Sequence, residues 1–143
     1  MQIFSVPVSV HLVLIKENKI LLIRRKNTGF ADGFYSTPAG KLEANESVIE
    51  AIIRETEEEI NIKIDNETLR IVQVMNRKGC DKERIDYFFM VNRWDGKIKN
   101  NEPNKCDDIK WFDINDIPDN TIPYIKEAIN NIKKDIKFSL YGW

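Results

Sequence analysis

The chain lacks an excess of basic residues. Its 22 Lys and Arg are balanced by 23 Asp and Glu, which gives a net charge of -1. Proteins hold DNA or RNA polymers largely through positive charge on the phosphates, so we expect no nucleic-acid polymer as a partner. A small phosphate ester needs only a local cluster of basic groups and is still compatible with this composition.

Long apolar runs and paired cysteines are also missing. No run approaches the roughly 18 residues of a membrane-spanning helix, and the opening stretch MQIFSVPVSVHLVLIK resembles no signal peptide. Cys80 and Cys106 are far apart and form no CxxC pair, which favours two reduced thiols over a disulfide or a zinc site. We therefore expect a cytoplasmic protein that does not bind membranes.

The residues that are present suffice for one hydrophobic core. The 143 residues are 42% hydrophobic and 10% aromatic, and they contain no repeat, linker or low-complexity tail. We expect a single domain over residues 1–143. A helix follows only some of the strands, which predicts an α+β fold with helices packed on a mixed sheet, not a doubly wound parallel α/β fold.

Hydrophobic periodicity predicts the elements. Val8 to Leu14 and Ile20 to Ile23 flank the polar turn Glu17-Asn18-Lys19, which indicates a hairpin. The aperiodic segment from Lys26 to Pro38 is predicted to be a long surface loop, and Lys97 to Asn104 a solvated, mobile loop. Further strands are predicted at Leu69 to Met75, Ile85 to Trp94 and Ile109 to Phe112, with a second helix from Pro123 to Ile136.

The most informative segment is GKLEANESVIEAIIRETEEEINI, from Gly40 to Ile62. Its apolar spacing predicts a helix from Asn45 to Ile60, with Asn45 or Ser47 as the N-cap. Three of its acids, Glu55, Glu58 and Glu59, stand at i, i+3 and i+4 and therefore share one face. Like charges so placed repel each other, so such a face usually holds a cation. The alternative is a plain acidic surface.

Carboxylate clusters bind hard cations, and Mg²⁺ or Mn²⁺ bound in this way typically carries phosphate ligands. The preceding turn, Pro38 to Lys41, allows the backbone to approach an ion, and its carbonyl groups would be further ligands. Arg54 is predicted to pair with an acid such as Glu46. Arg24 and Arg25 end the second strand, where they could clamp a phosphate.

This spacing resembles the Nudix box, a 23-residue loop-helix-loop motif of pyrophosphohydrolases. Gly40, Glu46, the Arg54-Glu55 pair, the Glu58-Glu59 pair and Ile62 all stand at the offsets of that motif. Three positions depart from it: Ala39 and Asn61 replace glycines, and Thr56 replaces an aliphatic residue. Asn tolerates the left-handed conformation that the second glycine often adopts, so we expect the turn after the helix to be preserved.

The resemblance implies an α/β/α sandwich with a mixed sheet between helices, nearest to the MutT-type nucleoside triphosphate pyrophosphohydrolases. It implies metal binding by Glu55, Glu58, Glu59 and the carbonyl group of Ala39, with Mg²⁺, or Mn²⁺, as cofactor. Gly40, Glu46 and Arg54 would be structural parts of the motif. The implied catalytic residues are Glu58, Glu59 and Glu102, with Glu83 or Asp107 as alternatives to Glu102.

The same resemblance assigns substrate binding to Arg25, Lys41 and Asn120. Arg25 would bind phosphate and Asn120 would read the base, although Asn120 could instead cap the final helix. Phe30, Phe34 and Tyr35 would form either a stacking wall for the base or part of the core. Outside the resemblance, His11 is expected to be a hydrogen-bonded strand residue rather than a catalytic base. Trp94, Trp111 and Phe112 are expected in the core, and Trp143 either anchors the end of the chain or is mobile.

The expected activity is hydrolysis of a nucleoside diphosphate linked to another group. A nucleoside or deoxynucleoside triphosphate would give a nucleoside monophosphate and pyrophosphate. The alternatives are an ADP-ribose or nucleotide-sugar pyrophosphatase, and a non-catalytic nucleotide-binding sensor. We expect a small-molecule nucleotide as partner and a monomer or homodimer.

Overall fold

The computed structural model describes residues 1–143, with eleven β-strands and two α-helices. A short 3₁₀ helix, Asn66–Thr68, follows β6. In chain order the elements are β1 (Val8–Val13), β2 (Ile15–Lys16), β3 (Lys19–Arg25), β4 (Tyr35–Ser36), β5 (Ala39–Lys41), α1 (Val48–Ile60), β6 (Lys63–Ile64), β7 (Arg70–Lys78), β8 (Glu83–Met90), β9 (Trp94–Asp95), β10 (Cys106–Asp113), α2 (Pro123–Lys133) and β11 (Phe138–Tyr141).

The strands form three sheets. The largest is mixed and has the order β11-β7-β8-β1-β5. In it, β1 pairs parallel with β8 and β11 parallel with β7, whereas β7–β8 and β1–β5 are antiparallel. A second, antiparallel sheet has the order β10-β3-β2, with β4 also paired to β3. The short strands β6 and β9 pair with each other.

The two helices cover opposite faces of the large sheet. Leu12 of β1 packs in the cluster that includes Ala51 and Ile52 of α1, and the next residue, Val13, packs in the cluster that includes Ile125 of α2. Successive strand residues point to opposite faces, so the sheet lies between the helices. The predicted mixed sheet sandwiched between helices is confirmed.

The predicted hairpin is only partly right. β1 belongs to the large sheet, and the chain crosses at Leu14 into the second sheet, where only β2 and β3 form the hairpin. Its turn residues Glu17 and Asn18 have φ of 53° and 63°, as in the tight turns that match strand twist. Leu14 is fully buried, so the change of sheet leaves no polar signal in the sequence.

The predicted surface loop from Lys26 to Pro38 ends too late. Tyr35 and Ser36 form β4, and Tyr35 to Pro38 are buried. The Gly, Asn and Asp residues that suggested a loop are concentrated before this stretch. The buried part passes directly beneath the turn that begins the box.

The helix α1 begins slightly later than predicted and ends as predicted. Ser47 is the N-cap: its hydroxyl accepts from the Glu50 amide at 3.1 Å, and the Glu50 carboxylate accepts from the Ser47 amide at 3.0 Å. This reciprocal capping box fixes the first turn. Asn61 caps the other end in the left-handed region at φ 66°. The expectation that asparagine preserves the turn after the helix is confirmed.

Smaller predictions have mixed outcomes. α2 ends at Lys133 rather than Ile136, because the chain turns at Asp135 with φ 57°. Trp143 anchors the end of the chain, donating from its indole to the Asn76 carbonyl at 2.9 Å. Both cysteines are free, as expected. Neither helix has the length and apolar character needed to cross a membrane.

Candidate active site

The predicted turn from Pro38 to Lys41 is a bend at Pro38 that leads directly into β5, because Ala39–Lys41 pair with β1. This segment fits closely against the acidic face of α1. The Ala39 amide donates to Glu59 Oε1 at 3.2 Å. At Gly40, an added Cβ would lie 1.9 Å from the Glu55 carboxylate carbon and 2.3 Å from both of its oxygens. No side chain fits there unless Glu55 moves, which explains why a glycine stands at this position. The turn and the helix therefore bring backbone and carboxylates into direct contact.

Arg54 holds the loop and the helix together, as the sequence predicted. Its Nε and Nη2 donate to the two oxygens of Glu46 at 3.0 and 2.8 Å, a bidentate geometry of the strong kind. Its Nη1 donates to Glu55 at 2.9 Å and to Glu58 at 3.3 Å, and Nη2 also approaches the Lys41 carbonyl at 3.4 Å. One guanidinium thus orients two of the three box glutamates.

The box carboxylates outnumber the positive charges that contact them, and Glu59 has no ion-pair partner. Burial raises the pKa of Glu59 well above its ordinary value, and the charges of Glu55 and Glu102 add to this effect, opposed by the Ala39 amide and Arg25. Burial also raises the pKa of Glu55, although Arg54 opposes it. Each carboxylate makes ionisation of the other less favourable, so a cation at this cluster would offset the repulsion.

Glu102 reaches this cluster because its loop docks on the end of α1. The amides of Lys99 and Asn101 donate to the carbonyls of Ile60 and Glu59, each at 3.0 Å. Most side chains of the loop are exposed, as expected, but its backbone satisfies carbonyl groups that a helix end otherwise leaves free. The loop is therefore fixed to the helix and is not simply solvated.

The two alternatives to Glu102 are placed differently. Asp107 is engaged in an ion pair with Arg24, Oδ1 to Nε at 2.6 Å. Glu83 begins β8 and is paired with Lys78 at the end of the β7–β8 hairpin. Of the three acids, only Glu102 contributes to the raised pKa of both Glu55 and Glu59. The structure thus brings Glu102 to the box.

Arg25 lies at the end of β3, where its side chain contacts the following loop. Nε donates to the Phe30 carbonyl at 2.8 Å, Nη2 donates to Thr28 Oγ1 at 3.0 Å, and the guanidinium lies 5.6 Å from the centre of the Phe30 ring. Its positive charge partly opposes the rise in the pKa of Glu59. Arg25 therefore lies between the loop and the carboxylates. Lys41 is exposed on β5.

Asn120 does not cap α2, because the N-cap is Ile122 and it makes no side-chain cap. Instead Asn120 Nδ2 donates to the Gly33 carbonyl at 2.9 Å, and its own carbonyl accepts from the Tyr35 amide at 2.8 Å. The helix-cap alternative is thus wrong. Asn120 joins the start of α2 to the loop before β4.

The aromatic residues of this region divide into two groups. Phe30 and Phe34 are 53% and 40% exposed, whereas Tyr35 is 7% exposed and belongs to the core. Only the two phenylalanines are free to meet a ligand. Trp94, Trp111 and Phe112 pack against the core clusters, as expected.

A hard divalent cation fits these residues, although no three His, Cys, Asp or Glu side chains converge into a ready metal-binding group. Oxygens of Glu55 and Glu58 turn to Arg54 instead. Three features suit the ion: the direct contact of the Glu55 carboxylate with Gly40, the half-buried Glu59 with a single amide donor, and an all-oxygen donor set. Their net negative charge would neutralise the positive charge of a divalent cation.

A buried polar cluster on the other face of the sheet was not predicted from the sequence. His11 Nδ1 lies 2.8 Å from Thr37 Oγ1, and its Nε2 lies 3.1 Å from Asp86 Oδ1. Arg77 Nε donates to Asp86 Oδ2 at 2.8 Å. As expected, His11 is a hydrogen-bonded strand residue. The only available signal for its partners was an aspartate within the apolar run of β8.

The fold and site together define an α/β/α protein in which an acidic helix face meets a backbone turn. The chain belongs to the Nudix family: the NUDIX domain profile matches residues 6–132. The resemblance based on the box is confirmed.

Curated relatives carry several activities in their names. An ADP-ribose pyrophosphatase of Methanocaldococcus jannaschii is 32% identical over 111 residues, which are 78% of this chain and 64% of that protein. An 8-oxo-dGTP diphosphatase of Buchnera aphidicola subsp. Schizaphis graminum is 30% identical over 107 residues, covering 71% of this chain and 79% of that protein. The match therefore spans just under two thirds of the first relative.

Solved structures share the fold. A MutT NUDIX hydrolase from Burkholderia pseudomallei superposes with a TM-score of 0.81 at 22% identity, covering 89% of this chain and 98% of that one. A MutT protein from Methanosarcina mazei Go1 has a TM-score of 0.78 at 22% identity, covering 90% and 94%. At this identity the likeness supports the architecture alone.

Proposed function

We propose that this protein is a metal-dependent pyrophosphohydrolase that cleaves a pyrophosphate bond in a nucleoside diphosphate linked to another group. The proposed substrate is a nucleoside or deoxynucleoside triphosphate, and the products are a nucleoside monophosphate and pyrophosphate. The proposal includes a cytoplasmic location, a small-molecule partner, and a monomer or homodimer.

One observation carries the proposal: half-buried carboxylates pack directly against the backbone of Ala39 and Gly40. Glu55 and Glu59 contact Gly40 and Ala39, and Glu102 is brought to them by its docked loop. An acidic face with no function would be exposed to solvent, where its charges are inexpensive. Burying carboxylates together without enough cations is costly, which favours a site that binds a cation.

Glu55, Glu58, Glu59 and the carbonyl of Ala39 would hold the ion. Bound there, Mg²⁺ or Mn²⁺ would lower the pKa of a coordinated water and neutralise phosphate oxygens. Arg54 keeps Glu55 and Glu58 in orientation through its hydrogen bonds. Glu46 orients Arg54 through two hydrogen bonds, and Gly40 leaves room for the Glu55 carboxylate.

The hydrolytic step needs a proton acceptor and a grip on the substrate. Water adds to one phosphorus, the bridging P–O bond breaks, and Glu59 or Glu102 takes the proton of the water. Arg25 and Lys41 would bind phosphate oxygens. Asn120 would read the base, because its Oδ1 is free of the contact that Nδ2 makes with Gly33.

Two other functions are alternatives within this site. The Methanocaldococcus jannaschii relative is named an ADP-ribose pyrophosphatase, which favours ADP-ribose or a nucleotide sugar as the second candidate substrate. A non-catalytic nucleotide sensor is the third. It would not need all the carboxylates that α1 presents.

A substrate panel separates these possibilities. Purified protein with Mg²⁺ would be incubated with nucleoside triphosphates, oxidised nucleotides and ADP-ribose, and the products would be identified by chromatography. We expect nucleoside monophosphate and pyrophosphate from triphosphates, with the highest kcat/KM in the panel. Higher kcat/KM on ADP-ribose would select the second candidate, and no turnover of any compound would select the sensor.

Single variants test the assigned residues. Glu58→Gln preserves shape and removes charge, and turnover at saturating Mg²⁺ within about threefold of wild type, under 0.7 kcal/mol, would exclude Glu58 from the metal site. Glu102→Gln tests the proton acceptor: an unchanged rate and pH profile would exclude Glu102. Asp107→Asn is its matched control, because Asp107 is engaged by Arg24 instead.

A further inference from the structure

The buried polar cluster of His11, Thr37, Asp86 and Arg77 has no role in the proposed chemistry. All four residues are at most 9% exposed, and His11 stacks on Phe88 with ring centres 4.3 Å apart. Phe88 belongs to the core on the α2 side of the sheet, opposite the box helix. The cluster therefore lies behind the candidate site, not within it.

The cluster connects directly to the turn that the carboxylates contact. Thr37 is two residues before Ala39, and His11 stands opposite Ala39 in the β1–β5 register. The next residue of β1, Leu12, donates its amide to the Pro38 carbonyl at 2.9 Å. The segment from Thr37 to Gly40 is thus held from behind by β1 and contacted from the front by Glu55 and Glu59.

Stability alone does not explain such a cluster. Burying the Arg77–Asp86 ion pair costs desolvation energy, and apolar residues of similar volume are often equally stabilising in such positions. What the cluster provides is direction: Arg77 orients Asp86, Asp86 orients His11 through Nε2, and His11 orients Thr37 through Nδ1. A fixed chain of hydrogen bonds permits one placement of the turn.

We infer that His11 is a positioning residue for the metal site, acting through Thr37 to place the backbone of Ala39 and Gly40 against the box carboxylates. This inference rests on the proposed function, because it concerns the affinity of that site for its ion. Groups that orient a metal ligand typically change metal affinity by 10-fold or more when removed. His11 itself contacts neither ion nor substrate.

The test measures Mn²⁺ affinity by electron paramagnetic resonance of the free ion, without substrate. Thr37→Val keeps the shape of the side chain and removes the hydroxyl group that meets His11. We expect it to weaken Mn²⁺ binding about tenfold. Thr37→Ser keeps the hydroxyl group and should bind Mn²⁺ within about twofold of wild type. His11→Phe should weaken binding at least as much as Thr37→Val if it folds.

Gln73 offers a matched control for lost stability. It is equally buried on the same sheet, but it hydrogen-bonds to Ile136, Asn131 and Ser139, away from the turn. Gln73→Met should lower the melting temperature and leave Mn²⁺ affinity unchanged. A merely structural role for His11 would make the Thr37→Val and Gln73→Met proteins behave alike.

Three results would overturn the inference. If Thr37→Val bound Mn²⁺ within about twofold of wild type, His11 would have no positioning role at the metal site. The proposed function would be unaffected. If Gln73→Met weakened Mn²⁺ binding as much as Thr37→Val does, the loss of affinity would be explained by lost stability of the fold. Absence of Mn²⁺ binding by the wild-type protein would contradict both the proposed function and the inference.

Discussion

Two carboxylates of this protein, Asp86 and Glu59, are in opposite electrostatic situations. Asp86 is fully buried, and burial alone would raise its pKa, but hydrogen bonds and charge from His11 and Arg77 outweigh burial and lower it. Glu59 is half-buried among other acids with one amide donor, and its pKa rises well above the ordinary value. The protein itself compensates Asp86 and leaves Glu59 uncompensated.

This difference separates a carboxylate whose partners the fold supplies from one that can still take a ligand. A carboxylate whose partners are all supplied by the fold stabilises that fold and binds nothing further. A carboxylate buried without enough partners costs stability unless a ligand completes it, and such groups are concentrated at functional sites. The comparison predicts that removing each charge has opposite consequences for the stability of the metal-free protein.

The largest effect is expected from Asp86→Asn. The change leaves the Arg77 guanidinium buried without its counter-charge, which typically costs about 3–5 kcal/mol. Urea unfolding followed by circular dichroism would measure the loss, with Asp95→Asn on the surface as control. If the unfolding free energy fell by less than about 1 kcal/mol, the range of surface ion pairs, the Arg77–Asp86 pair would not be a structural ion pair.

Glu59→Gln should show the opposite pattern. Turnover of a nucleoside triphosphate should fall about a hundredfold or more, because the variant removes a metal ligand or proton acceptor. The metal-free protein should be as stable as wild type or more so, since a neutral amide is buried at lower cost than a carboxylate. Steady-state kinetics and unfolding of the same preparation would check both. Lost stability with retained turnover would reverse the assignment.

The pH dependence of stability sharpens the comparison further. The folded-state pKa of Asp86 lies below its ordinary value of 3.8, so its contribution is fully present above that pH and is lost as the pH falls through the folded pKa. The unfolding free-energy difference between wild type and Asp86→Asn should therefore shrink below pH 3.8. Unfolding curves at several pH values would show this, and a constant difference would contradict it.

The smallest effect is expected at Asn120, which contacts neither Asp86 nor Glu59 by a hydrogen bond. Asn120→Ala should alter kcat/KM among bases by about tenfold or less, the value of one lost hydrogen bond to a ligand. The rate on a shared substrate should change less than the selectivity does. Competition assays with paired nucleotides would measure this. Equal losses on every nucleotide would remove Asn120 from base recognition.

The box could be predicted from sequence because its determinants are local. Helical spacing placed Glu55, Glu58 and Glu59 on one face, and the predicted pairing of Arg54 with Glu46 is present at 2.8 and 3.0 Å. The end of α1 at Ile60 follows from Asn61, whose left-handed conformation the residue type anticipates. Each of these contacts joins residues within one short segment.

The remaining features depend on contacts between distant segments. The docking of Asn101 on the Glu59 carbonyl, which brings Glu102 to the box, joins residues 42 positions apart through backbone groups that every residue carries. The passage of the chain between sheets at Leu14 leaves no signal, because the residues on both sides are apolar. Only Asp86, an acid in an apolar strand, offered a hint that could have been followed.

The central claim is that the box carboxylates bind a divalent cation, and thermal unfolding with added Mn²⁺ tests it most directly. An ion that binds only the folded state raises the melting temperature by mass action. After removal of bound ions with a chelator, the wild-type melting temperature should rise with Mn²⁺, and Glu59→Gln should need at least about ten times more ion for the same rise. Identical Mn²⁺ dependence of the two proteins would contradict the account.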